Sequence, residues 1–376
     1  MIVCRKTKKN FCLQQVLNFR FILKNNMKNL SWFNKVMFFL NIALTVLTFI
    51  AYVLPFLAPK FFPFLSVLTL ILPLFLILNT VFFIYWIIQF KKQIFLSGLV
   101  LLVGITFINK FYKFSATNFP ESDNDFTVMS YNVRLFNLFE WIDVKDVPEK
   151  IQEFINKQNP DILCIQEFSS SSNKIDLRVY KYKYILISGN RIKTAQAIFS
   201  KFPIVNTGNI EFPKSNNNAV FADIKKGKDT IRVYNMHLES LKISPDVSEI
   251  NDDVNEIDQT KTEKIIKRIS SAFEAQQVQS ELIKTHKEKC KYQVLICGDM
   301  NNSAYSYVYR SIRGKLNDTF EEAGQYFGQT FNFKYYPARI DYIFADKKIK
   351  VKSFTNFSDF KFSDHTPIVT RLEIIE

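Results

Sequence analysis

Four apolar runs in this 376-residue chain end in side chains that bind cations or move protons. TVMSYN ends at Asn132, DILCIQE at Glu167, IRVYNMH at His237, and QVLICGDMN at Asp299 and Asn301. Two further groups stand where strands should begin: ARID supplies Asp341, and FSDHTP supplies Asp364 and His365 just ahead of Ile368–Leu372. One such residue is ordinary strand-end chemistry, but a carboxylate, amide or imidazole at six such places is hard to ascribe to turns. Of three histidines, two fall in this set; the third, His286, lies among lysines on a predicted helix and reads as a solvated surface group. These residue types suit hydrolysis of a phosphate ester. That reaction needs a hard cation on oxygen ligands, a base or positioning group for water, and an acid or electrostatic partner at the departing oxygen. An imidazole beside a carboxylate serves the last need, because the carboxylate fixes the tautomer and stabilises the charged ring.

Short apolar runs separated by polar turns predict the elements that position these groups. Strands are expected at Phe126–Tyr131, Ile162–Gln166, Ala197–Ser200, Val220–Ile224, Ile231–Met236, Gln293–Cys297, Ile340–Phe344 and Ile368–Leu372. Helices are expected at Asp146–Lys157, ahead of Pro160, and at Thr262–Lys287, whose apolar positions include Ile265, Ile269, Phe273 and Leu282. Strands mixed with long helices imply an α/β layered domain. Gly298 suits a sharp turn that projects Asp299 from its strand. The acidic stretch Ser244–Thr262 reads as a mobile loop, the serine run Ser169–Ser172 as a flexible rim beside Glu167, and Arg134 as either a loop arginine or a phosphate contact.

The motifs SYNV, IQE, AIFSKFPI, NMHLES, GDMN, RIDYIF and SDHTPI, in that order over about residues 126–376, resemble the endonuclease/exonuclease/phosphatase family of DNase I-like proteins. GDMN followed by a C-terminal SDH is the most specific part. The resemblance implies a four-layer α/β sandwich and a metal-dependent phosphoesterase using Mg²⁺, with Mn²⁺ as an alternative. It implies Glu167 as main metal ligand, with Asn132 beside it and Asp364 completing or supporting the site. Asp299 would orient or deprotonate water, Asn301 would hydrogen-bond a phosphoryl oxygen, and His365, oriented by Asp341, would donate to the phosphate. His237 would act from the opposite side, although the sequence identifies no carboxylate partner for it. Ala195 stands where a glycine is common in the third motif.

The first third is of another kind. Val36–Ala58, Phe61–Ile88 and Gln93–Asn109 are charge-free and each is long enough, or nearly so, for a membrane-crossing helix, with a kink expected near Pro63, Pro73 and Asn79. The organisation expected is therefore a basic segment 1–35, three transmembrane helices in 36–110, a polar linker 111–125 and the catalytic domain 126–376, in a multi-pass membrane protein. Met27 reads as an alternative start, which would leave residues 1–26 as an upstream extension. Basic residues before the first stretch and Lys91/Lys92 in the second loop place the catalytic domain outside the cytoplasm. A transporter is disfavoured because no ionisable group lies within a span.

Charge narrows the partners less than it first suggests. The net charge is +14, yet no acid precedes Glu121 and thirteen of the 49 basic residues do, which leaves 36 against all 35 acids, or +1, for the remainder. The excess belongs to the apolar third, so it gives no sign of a strong nucleic-acid-binding surface. A phosphate-ester substrate (nucleic acid, phospholipid or phosphorylated small molecule) and a lipid bilayer are the partners expected. Cys164 and Cys297 lie in apolar runs and read as buried thiols, and no Cys/His cluster suggests zinc. A non-catalytic binding module would predict loss of Glu167, His237, Asp299 or His365, and all four are present.

Overall fold

The computed structural model describes residues 30–169, 175–189, 194–241, 259–333 and 337–375. Most of the expected loop Ser244–Thr262, of the serine run and of the basic segment 1–35 lies outside these residues. Two compact units are present, Met1–Tyr52 with Ile71–Thr106, and Val53–Leu70 with Phe107–Glu376.

The first unit consists of helices α1 (Trp32–Val53), α2 (Leu72–Ile88) and most of α3 (Ile94–Ile108). Among the described residues a single helical stretch, Trp32–Phe56 at 25 residues, is long and apolar enough to cross a membrane; the other two have 17 and 15 residues. The three expected spans are thus corrected to one such helix and two shorter apolar ones. For the second stretch the physical reason lies in the prolines. Phe61–Ile88 does not form one kinked helix; its first part is a series of tight 3₁₀ turns at Pro59–Phe61 and Leu65–Thr69, and Pro73 sits in the first turn of α2, where its missing N–H is harmless. This unit buries polar groups and exposes apolar ones. Asn41, Thr48, Asn79 and Ser97 are fully buried, Asn41 bonding to Ser97 (2.8 Å) and Asn79 to Thr48 (3.0 Å), while Phe95, Leu102 and Val81 lie largely exposed.

The second unit is built on two six-stranded sheets. In chain order its longer strands are β1 (Asp125–Asn132), β2 (Ile162–Phe168), β3 (Tyr182–Ser188), β4 (Thr194–Ser200), β5 (Ile204–Glu211), β6 (Asn218–Lys226), β7 (Asp229–His237), β8 (Gln293–Asp299), β9 (Asp341–Ala345), β10 (Ile349–Asn356) and β11 (Ile368–Ile374). One sheet has the order β10-β11-β1-β2-β4-β3; the other runs from the short pair Asn317–Asp318 through β9-β8-β7-β6 to β5. Helix α4 (Val147–Gln158) covers the first sheet, and α5 (Gln259–Glu288) and α6 (Tyr307–Arg313) cover the second; a short α7 (Thr319–Ala323) follows.

Alternation along the strands explains the four layers. Val128, Ile162 and Cys164 face Val220, Val233, Leu295 and Cys297 of the other sheet. The intervening Met129, Leu163 and Ile165 face Ile151 and Ile155 of α4. Tyr234, Met236 and Ile296 face Ile283 of α5 and Val308 and Ile312 of α6. Both faces of the central strands are apolar because both are covered. The expected buried state of Cys164 and Cys297 is what the structure shows. Residues 111–125 are less of a free linker than their polarity implies: Tyr112–Lys113 pairs with Tyr326–Phe327, and the Phe119 amide donates to the Lys352 carbonyl (3.0 Å).

Candidate active site

Among the described residues each six-stranded sheet contains a single parallel pair of strands, β1/β2 in one and β7/β8 in the other, and the carboxyl ends of both pairs converge on one rim. Register does most of the positioning. His237 pairs with Asp299 across β7/β8, and Asp299 with Asp341 across β8/β9, so the three stand on one rung. Gly298 makes that rung possible. Its φ is +137°, and a Cβ there would lie 2.0 Å from the Met236 carbonyl oxygen, so any side chain would push β7 and β8 apart. In the other sheet Asn132 pairs with Gln166, and a bulge between Ile165 and Phe168 turns Glu167 into the left-handed region (φ +52°). Bulges of this kind re-aim a side chain at a rim.

A buried inter-sheet network sets the distance between the two rims. Gln166 Nε2 donates to Asn235 Oδ1 (2.6 Å) and Ser130 Oγ (3.1 Å), and Asn235 Nδ2 donates to the carbonyls of Ile165 (2.8 Å) and Ala197 (2.9 Å). Breaking one of these bonds would strand a buried polar group at a cost of about 1–3 kcal/mol.

The centre of the site is Asp299, 1% exposed. Its Oδ1 accepts from the Asn301 amide (2.7 Å), and its Oδ2 accepts from Asn132 Nδ2 (3.1 Å) and lies 3.6 Å from Nε2 of both His237 and His365. Asn132 Nδ2 also approaches Glu167 Oε1 (3.3 Å), which is in turn 3.6 Å from His237 Nε2. His365 Nδ1 bonds to Asp341 Oδ2 at 2.9 Å, and the Thr330 hydroxyl accepts from the Asp341 amide (3.0 Å). Asn301, at φ +48°, commits one amide N–H to the Leu238 carbonyl (3.0 Å) and keeps a second.

Burial and charge act in opposite directions here. Burial alone would lower the His365 pKa; the Asp341 and Asp299 charges, the Asp341 hydrogen bond and the Asp364 charge outweigh it, and the imidazole is held well above its ordinary value. Burial raises the Asp299 carboxyl, reinforced by the Asp341 charge and opposed by His365 and His237. A raised carboxylate is the stronger proton acceptor and a charged imidazole a ready donor, and the two stand 3.6 Å apart.

Seven of the eight expected residues therefore come together. Asp364 pairs with Arg134 Nη1 at 3.1 Å, and its charge is among those that raise His365. Arg134 lies over the Trp141 ring (4.5 Å) and begins a run of left-handed residues, Arg134 to Asn137, with φ from +42° to +59°. Each costs about 1–2 kcal/mol, and Asn137 offsets this by bonding both the amide and the carbonyl of Ile142. Carboxylate oxygens of Asp299 and Asp341 and a nitrogen of His365 lie within 4.8 Å of one another and by spacing would hold an ion. His365 and Asp341 are engaged with each other, however, whereas the Glu167 side chain is 25% exposed and opens outward. Carboxylate oxygens at Glu167 and Asp299, with no thiolate, suit a hard divalent cation such as Mg²⁺ or Mn²⁺, while Asn132 turns its Nδ2 toward both and its Oδ1 accepts from the Arg134 amide (3.1 Å). His237 has no dedicated carboxylate; its buried Nδ1 has no partner among the described residues. His286 is not the solvated group expected from its neighbours. It is half-buried, bonded through Nδ1 to the Tyr234 hydroxyl (2.9 Å), and burial together with Arg232 and Lys289 lowers its pKa.

A four-layer α/β sandwich carrying carboxylates, amides and paired imidazoles on one rim defines a hydrolase of phosphoric esters. The family model described as the endonuclease/exonuclease/phosphatase family matches residues 129–365, and the chain belongs to that family. Its members are phosphoesterase hydrolases, generally dependent on divalent metals. A second model, for a domain of unknown function, matches residues 34–111. Among solved structures, an endonuclease/exonuclease/phosphatase from Beutenbergia cavernae shares 17% identity at a TM-score of 0.50, covering 67% of this chain and 72% of its own. The human Nocturnin catalytic domain with bound sulfate shares 18% at 0.50, covering 69% and 97%. At such identities the likeness shows the fold alone. Comparison with curated proteins finds no match.

Proposed function

We propose that this chain is a membrane-anchored, divalent-metal-dependent phosphoesterase that hydrolyses phosphodiester or phosphomonoester bonds by in-line attack of water. The observation that carries the reading is Asp299, buried between two imidazoles, with a second carboxylate, Asp341, charging one of them. In this reading Asp299 orients the attacking water and takes its proton, and the Asn301 amide bonds a phosphoryl oxygen. His365, kept protonated by Asp341, donates to the phosphate as charge builds on it, and His237 acts from the other side. Glu167 and Asn132 would hold the cation, with Asp364 near the same rim, paired to Arg134. A bound Mg²⁺ or Mn²⁺ would supply charge neutralisation at the phosphoryl oxygens. Arg134, over the Trp141 ring and 29% exposed, would exchange Asp364 for a phosphate oxygen.

Anchoring is supported by the burial pattern of the first unit. Polar groups bonded to one another inside and phenylalanine and leucine outside is the arrangement a bilayer favours. The loop charges favour an extracytoplasmic catalytic unit, which protease added to intact cells would then digest; resistance in intact but not lysed cells would reverse the sidedness. The full chain in detergent should hydrolyse bis(p-nitrophenyl) phosphate with Mg²⁺ or Mn²⁺ and lose at least about 10²-fold of its rate in EDTA, restored by added metal. Metal-independent hydrolysis would sink this mechanism. A panel of plasmid DNA, phospholipid vesicles and phosphomonoesters would then rank the substrates.

A further inference from the structure

The buried face of α5 is polar where a core helix is ordinarily apolar. Phe273 and Ile283 are buried on it, yet between them lie Gln276, Gln279 and Ser280, all at most 1% exposed. Burying an amide without partners costs about 1–3 kcal/mol, so its bonds show what the position is for. Gln276 Nε2 donates to the Glu239 carbonyl (2.6 Å) and approaches those of Asn301 (3.3 Å) and Met300 (3.5 Å), while its Oε1 accepts from Asn302 Nδ2 (2.7 Å). Gln279 Oε1 accepts from the Glu239 amide (2.9 Å). One glutamine thus grips the segment after His237 and the segment after Asp299 together. These segments leave a parallel strand pair, so no hairpin joins them.

The same helix is also held by a distant part of the chain. Val67 and Leu70 pack on Ala272, Phe273 and Ile269. The Lys60 amide donates to Gln277 Oε1 (2.9 Å), the Ser303 hydroxyl donates to the Thr69 carbonyl (3.2 Å), and the Arg310 guanidinium lies 4.1 Å over the Phe56 ring. All these residues belong to the second unit, although 53–70 precedes the catalytic sequence and lies between two apolar helices.

We propose that Gln276 is a positioning residue for both catalytic segments, and that Val53–Leu70 is the brace that holds its helix in place. The segment between the first two apolar helices is then a working part of the catalytic unit. The kinetic consequence rests on the phosphoesterase reading; the structural one does not.

The test uses the full chain in detergent, with Gln276→Leu, Gln276→Glu (acceptor-only when ionised, for use if the leucine variant fails to fold) and Leu70→Asp. Amide exchange is expected to quicken about tenfold or more at Leu238, Met300 and Asn301 in either Gln276 variant, with Val233 and Leu295 in the sheet unchanged. Turnover of bis(p-nitrophenyl) phosphate should fall by about 10–100-fold with KM within about twofold, because misplacement of reacting groups is paid in kcat. Leu70→Asp should do the same to a smaller degree. Wild-type exchange at the three amides in the Gln276 variants would overturn the positioning role, as would equal acceleration throughout both sheets. Unchanged exchange in Leu70→Asp would remove the brace. If the wild type hydrolyses no ester, the proposed function fails while the exchange data still decide this proposal.

Discussion

The two parallel strand pairs of this enzyme are built alike but equipped differently. The β7/β8 pair ends in His237 and Asp299, both buried, and Asp341 on β9 extends the same rung to a charged His365. The β1/β2 pair ends in Asn132, buried, and Glu167, whose side chain is a quarter exposed on a bulged, left-handed backbone. One half is a closed, densely bonded set of proton donors and acceptors; the other is an open carboxylate with few partners. Groups that transfer protons must keep their geometry and their perturbed pKa values, which burial supplies at Asp299 and neighbouring carboxylates supply, against burial, at His365. A group that is to take up a cation from water must stay accessible and under-bonded. In the proposed mechanism, symmetry of scaffold therefore does not imply symmetry of task.

That contrast can be broken from either side. The largest effect is expected from the closed half: His365→Ala should lower kcat by about 10³-fold or more with little change in KM, and added metal should not rescue it. Full activity in that variant would sink the proton-transfer assignment. In the open half, Glu167→Gln should cost about 10²-fold, and the loss should shrink as Mn²⁺ is raised, because a weakened cation site is refilled by mass action. A loss independent of metal concentration would place Glu167 in the other half.

Asp341→Asn should have the smallest effect, about tenfold at slightly acid pH, growing as pH rises. Burial lowers the His365 pKa, and the Asp341 charge is foremost among the groups that raise it; with that charge gone, burial regains weight and the alkaline limb of kcat should move toward lower pH. The sign for stability follows. With a folded-state pKa above the unfolded one, His365 contributes stability that is complete below about pH 6.5 and is lost as pH rises through the raised folded value. Urea unfolding of EDTA-treated protein at mildly acid and alkaline pH should show this slope in the wild type and a shallower one in Asp341→Asn. Equal slopes would mean that Asp341 does not hold the proton on His365.

The eight central strands and the two long helices were legible within a few residues, because strands covered on both faces must be apolar throughout. The longer strands that escaped notice, Tyr182–Ser188, Ile204–Glu211 and Ile349–Asn356, are all at sheet edges, where one face meets water and polar residues interrupt the pattern. The expected spans failed for a related reason. Hydropathy counts Val67 and Leu70 as membrane-like, whereas they pack on Phe273 and Ile269 of α5. His286 was misjudged from its lysine neighbours, which says nothing of the Tyr234 hydroxyl across the helix–sheet interface.

Residue type and strand position pointed to the chemistry: carboxylates, amides and imidazoles at six places where apolar runs stop or start suit phosphate-ester hydrolysis, the ordered motifs carried the family, and Gly298 announced the turn that carries Asp299. Tertiary structure decided how that set is arranged. It put His237, Asp299 and Asp341 on one rung, aimed Asp364 at Arg134, left His237 Nδ1 without a described partner, and brought Gln276 and residues 53–70 to the back of the site. Such choices depend on strand register and on contacts between residues far apart in the chain, and neither leaves a periodic trace in the sequence for local pattern to reveal.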